Sequence, residues 1–269
     1  MSLTINTNVA SLNAQRNLAQ TEVKLGATME QLSSGLRINK AADDVAGYAI
    51  SQSLEGQING LTQAFQNTQS GVALVQTAQG SLNEVEQILQ RMRTLAVQYD
   101  NGTNSAANKT AISEAVKQLS KEIERVGEST KFDGIALLES NTSIKFQVGA
   151  NDKETISVST FALKENAEVK KALEVTLGGE KSIEEIDGAI GAVAKAAGEF
   201  GSVQDRLQYT QSNLEVYNQN LQAANSSVKD VNMAEAMANF TKTQVLQQAG
   251  VAILAQANAL PQAVLKLVG

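Results

Sequence analysis

Ile186, Val193, Phe200, Leu207, Leu214, Leu221 and Val228 recur at every seventh position without a miss. A strict seven-residue apolar repeat keeps one stripe of an α-helix turned toward a partner helix, as in the seam of a coiled coil. Ile190, Ala197 and Ala224 add a second row, while the other faces carry Gln, Asn, Ser and charged residues. So narrow a stripe has to be covered by other helices. One helix over this stretch of ~43 residues is roughly 65 Å long. The other long helices of the chain are expected to lie alongside it.

Composition points the same way. Among 269 residues there are one Pro, no Trp and 4% aromatics, the make-up of long helices rather than of a core built on aromatic mass. The absence of Cys and His removes thiol chemistry, disulfides, the commonest metal ligand and the usual general base at neutral pH. The chain therefore reads as a non-enzyme, with no catalytic, cofactor-binding or metal residues expected. A net charge of −6 opposes a phosphate-binding surface, so no nucleic-acid partner is expected. Gln256, Asn258, Gln262 and Lys266 interrupt the weakly charged stretch 250–269, and membrane insertion is not expected. Residues 1–8 lack a basic region followed by an apolar core, so no secretory signal peptide is expected either.

From Asn6 to about Leu36 the period is helical, with Leu18, Leu25 and Leu32 seven apart and Met29 and Leu36 in the alternate row. Ser33 to Gly35 breaks it, and Asp43 or Asp44 is placed to cap a helix beginning at Val45. That helix reaches Tyr99 on Leu54, Ile58, Leu61, Phe65, Val72, Val75, Leu82, Val85, Leu89, Met92 and Ala96, its phase slipping by three residues near Leu82. A turn at 100–104 precedes a shorter helix over 106–126. The period then becomes two: Ile144, Phe146 and Val148, a turn at 149–153, and Ile156 and Val158 predict a β-hairpin. Residues 161–182, charged and Gly-containing, are expected as a short connection. Beyond Val228, Leu246, Ile253, Leu260 and Leu267 fall seven apart, with Pro261 expected to bend or interrupt their helix. Both ends thus carry apolar stripes that they are too slight to bury alone, and are expected to order against something else. Subunits whose ends meet head to tail build a helical filament.

Five segments carry a resemblance: INTNVASLN at 5–13, LSSGLRINKAADDVAG at 32–47, LQRMRTLAVQ at 89–98, FQVGAN at 146–151 and LQQAGVAILAQAN at 246–258. In them the chain resembles the bacterial flagellins, in a short form without large variable outer domains. The resemblance implies a mainly α fold, a long coiled-coil-like rod with a small β-hairpin, whose termini pair as a coiled coil in the filament. Residues 1–44 with 229–269 would form the inner tube, packing through Leu18, Leu25, Leu32, Leu246, Ile253, Leu260 and Leu267. Residues 45–160 with 183–228 would form the rod, packing on the repeat from Ile186 to Val228, with the hairpin near 144–158, and 161–182 would be a vestigial variable middle.

By the same resemblance the chain is a secreted, extracellular subunit of the flagellar filament, exported by a type III route and acting in motility by self-assembly. Its implied partners are further copies of itself, an export chaperone, the filament cap, the hook-junction proteins and a host Toll-like receptor. The receptor contacts implied are Gln90, Arg91, Arg93, Leu95 and Glu114. Arg91 would supply a planar donor fork and Leu95 an exposed apolar anchor one turn later, with Thr94 standing where many members carry Glu. Two other readings stay open at this point: a hook–filament junction protein, and a soluble coiled-coil module that recruits a partner to its Leu stripes.

Overall fold

The computed structural model describes residues 7–179 and 181–268, with side chains described as far as residue 259. The protein is mainly α. In order it carries α1 (Val9–Ser34), α2 (Val45–Asp100), α3 (Ala106–Ser129), β1 (Lys131–Phe132), β2 (Ile135–Ala136), β3 (Ser143–Gln147), β4 (Thr155–Ser159), α4 (Ala167–Leu173), α5 (Ser182–Lys229) and α6 (Met233–Val268). Two compact units form: one is Gln57–Gln219, the other the chain up to Gly56 together with that from Asn220 onward. Their limits fall inside α2 and α5 rather than at residues 44 and 229.

In the central unit α2 and α5 run antiparallel. Arg93 meets Asp187, Gln79 lies against Gly201, Gly71 against Leu207, and Asn218 reaches Thr62. The α2 face buried here is Leu61, Ala64, Thr68, Gly71, Val75, Ala78, Leu82, Val85, Leu89, Met92 and Ala96. Steps of three and four alternate along it without a break, so the expected slip near Leu82 does not occur. Ala64, Thr68, Gly71 and Ala78 hold the register where larger apolar residues are missing. The phase changes earlier, where Ile58, Leu61 and Ala64 follow in two successive steps of three.

On α5 the repeat Ile186, Val193, Phe200, Leu207 and Leu214 is buried, and Leu221 and Val228 are half-buried. The second row sits one residue earlier than the periodicity suggested: Ala189, Ala196 and Val203 are buried, Ile190 and Ala197 flank them, and Ala224 is exposed. Both choices satisfy a three-four pattern, and the packing takes the earlier one.

The expected hairpin is β3 paired antiparallel with β4, Ile144 opposite Val158 and Phe146 opposite Ile156. It lies on α2: Phe146 packs on Gly71, Asn67 donates to Gln147 O at 3.1 Å, and a β-carbon at Gly60 would stand 2.9 Å from that of Ala150. A second, smaller hairpin joins β1 to β2. Its Asp133 and Gly134 both take positive φ, 49° and 79°, the requirement of a type I′ turn. The segment 161–182 is more than a connection. Ala162, Leu163, Val169, Ala172 and Leu177 are buried, and α4, capped by Asn166, packs on α3.

In the other unit α1 begins at Asn8, whose side chain accepts from Ser11 N–H, and ends at Gly35 with φ 74°. That left-handed turn is cheap for Gly and costly for a residue with a β-carbon. The chain then crosses the end of α5. Arg37 N–H donates to Lys229 O at 2.7 Å, Val231 N–H donates to Gly35 O at 3.0 Å, and Ile38 is buried. Asp43 gathers the Asn39 and Lys40 amides, and Asp44 accepts from Gly47 N–H at 2.9 Å to cap α2. Helix α6 runs on through Pro261 without interruption.

Candidate functional site

For a chain of this build the functional candidates are faces rather than a cleft. Helices α1 and α6 pair antiparallel: Asn8 Nδ2 donates to Ala257 O at 2.8 Å, Leu18 packs on Gly250, and Leu36 bridges to Asp230. The α1 seam is Ser11, Ala14, Leu18, Thr21, Leu25, Thr28 and Leu32, and the α6 seam is Ala236, Phe240, Thr243, Gln247, Gly250, Leu254 and Ala257. Leu18, Leu25 and Leu32 therefore sit where expected, half-buried, while Thr21 and Thr28 form the alternate row in place of the exposed Met29.

The α6 residues expected to pack in the filament core lie outside the seam with α1. Leu246 is 51% exposed and Ile253 60% exposed. Their seven-residue spacing is real, but the seam against α1 lies one residue further on, where Gly250 makes room for Leu18. Leu260 and Leu267 lie outside the described side chains. The pair thus closes on Leu18, Leu25, Leu32, Phe240 and Leu254 interleaved with small and polar residues. Its outer surface carries Val9, Leu12, Val23 and Met29 of α1 and Met233, Met237, Val245, Leu246, Val251 and Ile253 of α6, all exposed. These exposed apolar side chains make the outer surface of the pair the candidate interaction surface.

The recognition residues lie together only in part. Gln90, Arg91 and Arg93 are exposed on α2, and Glu114 is exposed on α3. Arg93 is held by Asp187 of α5 through two bonds, at 2.6 and 3.3 Å, and this hydrogen-bonded carboxylate raises its pKa. Gln90 donates to Glu86, and Glu114 pairs with Lys117 at 3.6 Å. Arg91 is the cation of the group without an ion pair among the described residues. Leu95 contradicts the expectation of an exposed anchor: it is 8% exposed and belongs to the core with Met92 and Ala96. One helical turn beyond Arg91 the buried stripe comes round, and the exposed apolar residue nearby is Val97.

The perturbed titratable groups are exposed and structural. Asp43 is lowered by the Asn39 and Lys40 amides, Glu154 by the Asn151 amide and side chain, and Lys40 is raised by its bond to Glu30. Glu154 borders an open pocket with Tyr209, Thr210 and Tyr217, and its carboxylate is engaged by Asn151. Among the described residues no group of metal-ligating side chains assembles, and no described helix is long and apolar enough to cross a membrane.

A pair of terminal helices with exposed apolar side chains, joined in sequence to a long-helix unit bearing a β-hairpin, is the build of a structural protein. The family models agree. Residues 5–143 match the bacterial flagellin N-terminal helical region, and residues 183–268 match the bacterial flagellin C-terminal helical region. The chain is 43% identical to a flagellin of Halalkalibacterium halodurans over 98% of both chains, and 38% identical to a flagellin of Bacillus subtilis over 98% of this chain and 99% of that one. The crystal structure of Bacillus cereus flagellin superposes with a TM-score of 0.50 at 27% identity, over 55% of this chain and 88% of that chain. The chain belongs to the bacterial flagellin family. It is a structural subunit of the flagellar filament, a component exported from the cell.

A putative flagellar hook-associated protein from Vibrio parahaemolyticus shares the fold, with a TM-score of 0.50 at 13% identity. The flagellin relatives are far closer in sequence, so the junction-protein reading is not favoured.

Proposed function

We propose that the subunit polymerises through the outer faces of α1 and α6 into a helical filament that transmits motor torque for swimming. One observation carries this: the two helices already close a seam through Ala14, Leu18, Leu25, Gly250 and Leu254, and Leu246, Val251 and Ile253 lie outside it, exposed. Apolar side chains left bare beside a seam that is already closed are expected when they serve neighbouring copies. The same bare stripe on α6 suits an export chaperone that shields it before assembly. The cap and hook-junction proteins are proposed as partners at the two ends of the polymer. Electron microscopy after addition of a salt that strengthens apolar burial tests the reading. The intact chain should form long uniform filaments, and a chain truncated before Lys229 should form none.

We further propose that a Toll-like receptor reads the exposed Gln90, Arg91 and Glu114, with Arg93 drawn in only if its bond to Asp187 opens. Leu95 would act indirectly, by holding α2 in place. Replacing Arg91 with Ala should weaken activation of receptor-bearing reporter cells while leaving the subunit folded, and unchanged potency would remove Arg91 from the contact.

A further inference from the structure

We propose that the Asn101-Gly102 pair, in the turn between α2 and α3, is a site of spontaneous deamidation in the folded protein. The Gly102 backbone nitrogen gives up its proton and attacks Asn101 Cγ. The bond from Cγ to Nδ2 breaks, ammonia leaves, and a cyclic imide remains. Water then adds to either imide carbonyl and opens the ring to aspartate or isoaspartate. No oxidant, enzyme or cofactor is needed; water is the co-reactant.

The local geometry leaves every participant free. Asn101, Gly102 and Thr103 are exposed, beyond the end of α2 and before the cap of α3. The nucleophile, the Gly102 N–H, has no hydrogen-bond partner among the described residues. A β-carbon at Gly102 would meet nothing within 4 Å, so nothing crowds the ring as it closes. Asn101 Oδ1 accepts from Thr103 N–H at 3.2 Å, which polarises the carbonyl under attack. The departing Nδ2 is bonded to nothing among the described residues.

The chain supplies its own controls. Asn59-Gly60 is the same dipeptide, but it lies within α2, where the Gly60 amide belongs to the helical ladder and Ala150 crowds the glycine. Asn151, in the β3–β4 turn, has its backbone amide and its Nδ2 both bonded to Glu154, at 3.0 and 3.1 Å. Reaction at Asn101 makes the chain one unit more negative than its present −6. The new carboxylate stands beside Asp100 at the C-terminal end of α2, where the helix dipole disfavours an anion. The isoaspartate product also lengthens the turn by one backbone carbon.

The test ages the folded full-length chain in mildly alkaline buffer, with a denatured sample in parallel, and maps tryptic peptides by mass spectrometry. In the folded chain the peptide 94–109 should gain about one mass unit, assigned by fragmentation to Asn101 rather than Asn104 or Asn108, and split into aspartate and isoaspartate forms. Asn59 should react in the denatured chain and at least roughly tenfold more slowly in the folded one, because its backbone amide opens only with the helix. Asn101→Gln, whose imide ring would be one atom larger, should abolish the gain. An Asn101 that stays intact in the folded chain while reacting in the denatured one would overturn the proposal, as would equal rates at Asn59 and Asn101 in the folded chain.

Discussion

The α1–α6 pair and the central unit share one seven-residue period and differ in what fills it. In the central unit the seams hold Leu82, Val85, Leu89 and Met92 against Val193, Phe200 and Leu207, all essentially inaccessible to solvent. In the terminal pair Ala14, Thr21, Thr28, Thr243, Gly250 and Ala257 alternate with Leu18, Leu25, Leu32, Phe240 and Leu254, which are only half-buried. Periodicity alone therefore does not say where an apolar stripe is spent. The central unit buries its large side chains fully, while the terminal pair interleaves its own with small and polar residues and leaves Leu246, Val251 and Ile253 exposed.

The largest effect separates the two seams directly. Leu207→Ala removes a fully buried side chain and should destabilise the chain by about 2–5 kcal/mol. Leu18→Ala, half-buried opposite Gly250, should cost about 1 kcal/mol or less in the unassembled subunit, since less surface is removed from water. Urea unfolding followed by circular dichroism measures both, and equal losses would erase the distinction.

Limited proteolysis of the unassembled chain comes next. Segments up to about residue 40 and from about residue 230 should be cut first, because their backbone bonds are guarded by few buried apolar contacts, while 57–219 should persist. Uniform resistance would show that the terminal pair is as stable alone as the central core.

The smallest effect is electrostatic. Asp43 and Glu154 are carboxylates whose folded pKa values lie below their ordinary ones, each held by backbone amides. The unfolded chain binds protons at these groups at higher pH than the folded one does. Their contribution is present above the ordinary carboxylate pKa and is lost as pH falls through the folded values. Both groups are exposed, so the change should be slight. It should shrink further in Glu154→Gln, read as the difference in urea midpoint between neutral and acidic buffer.

Much of this was legible in the sequence because apolar spacing and turn residues are strong local signals. The α5 repeat, the break at Gly35, the Asp44 cap and the β3–β4 alternation all follow from them. What escaped has a common cause. Small residues can line a seam in place of large ones, so Ala64, Thr68, Gly71 and Ala78 concealed the continuity of the α2 seam. Gly250 likewise concealed the true α6 seam behind the more conspicuous Leu246 and Ile253. Leu95 was expected as an anchor through the resemblance, yet its place in the α2 stripe buries it. The β1–β2 hairpin did have a signal, an Asp-Gly pair between short apolar runs. The helix α4 is too short for periodicity to declare.

The most direct test of the outward-facing stripe pairs Leu246→Asp with Ile253→Asp in one chain and follows salt-induced assembly by electron microscopy, beside circular dichroism of the unassembled protein. Both residues are exposed in the single subunit, so helical content and unfolding midpoint should stay within about 0.5 kcal/mol of the parent while filaments disappear. Filaments of normal length and abundance from the doubly substituted chain would contradict the account.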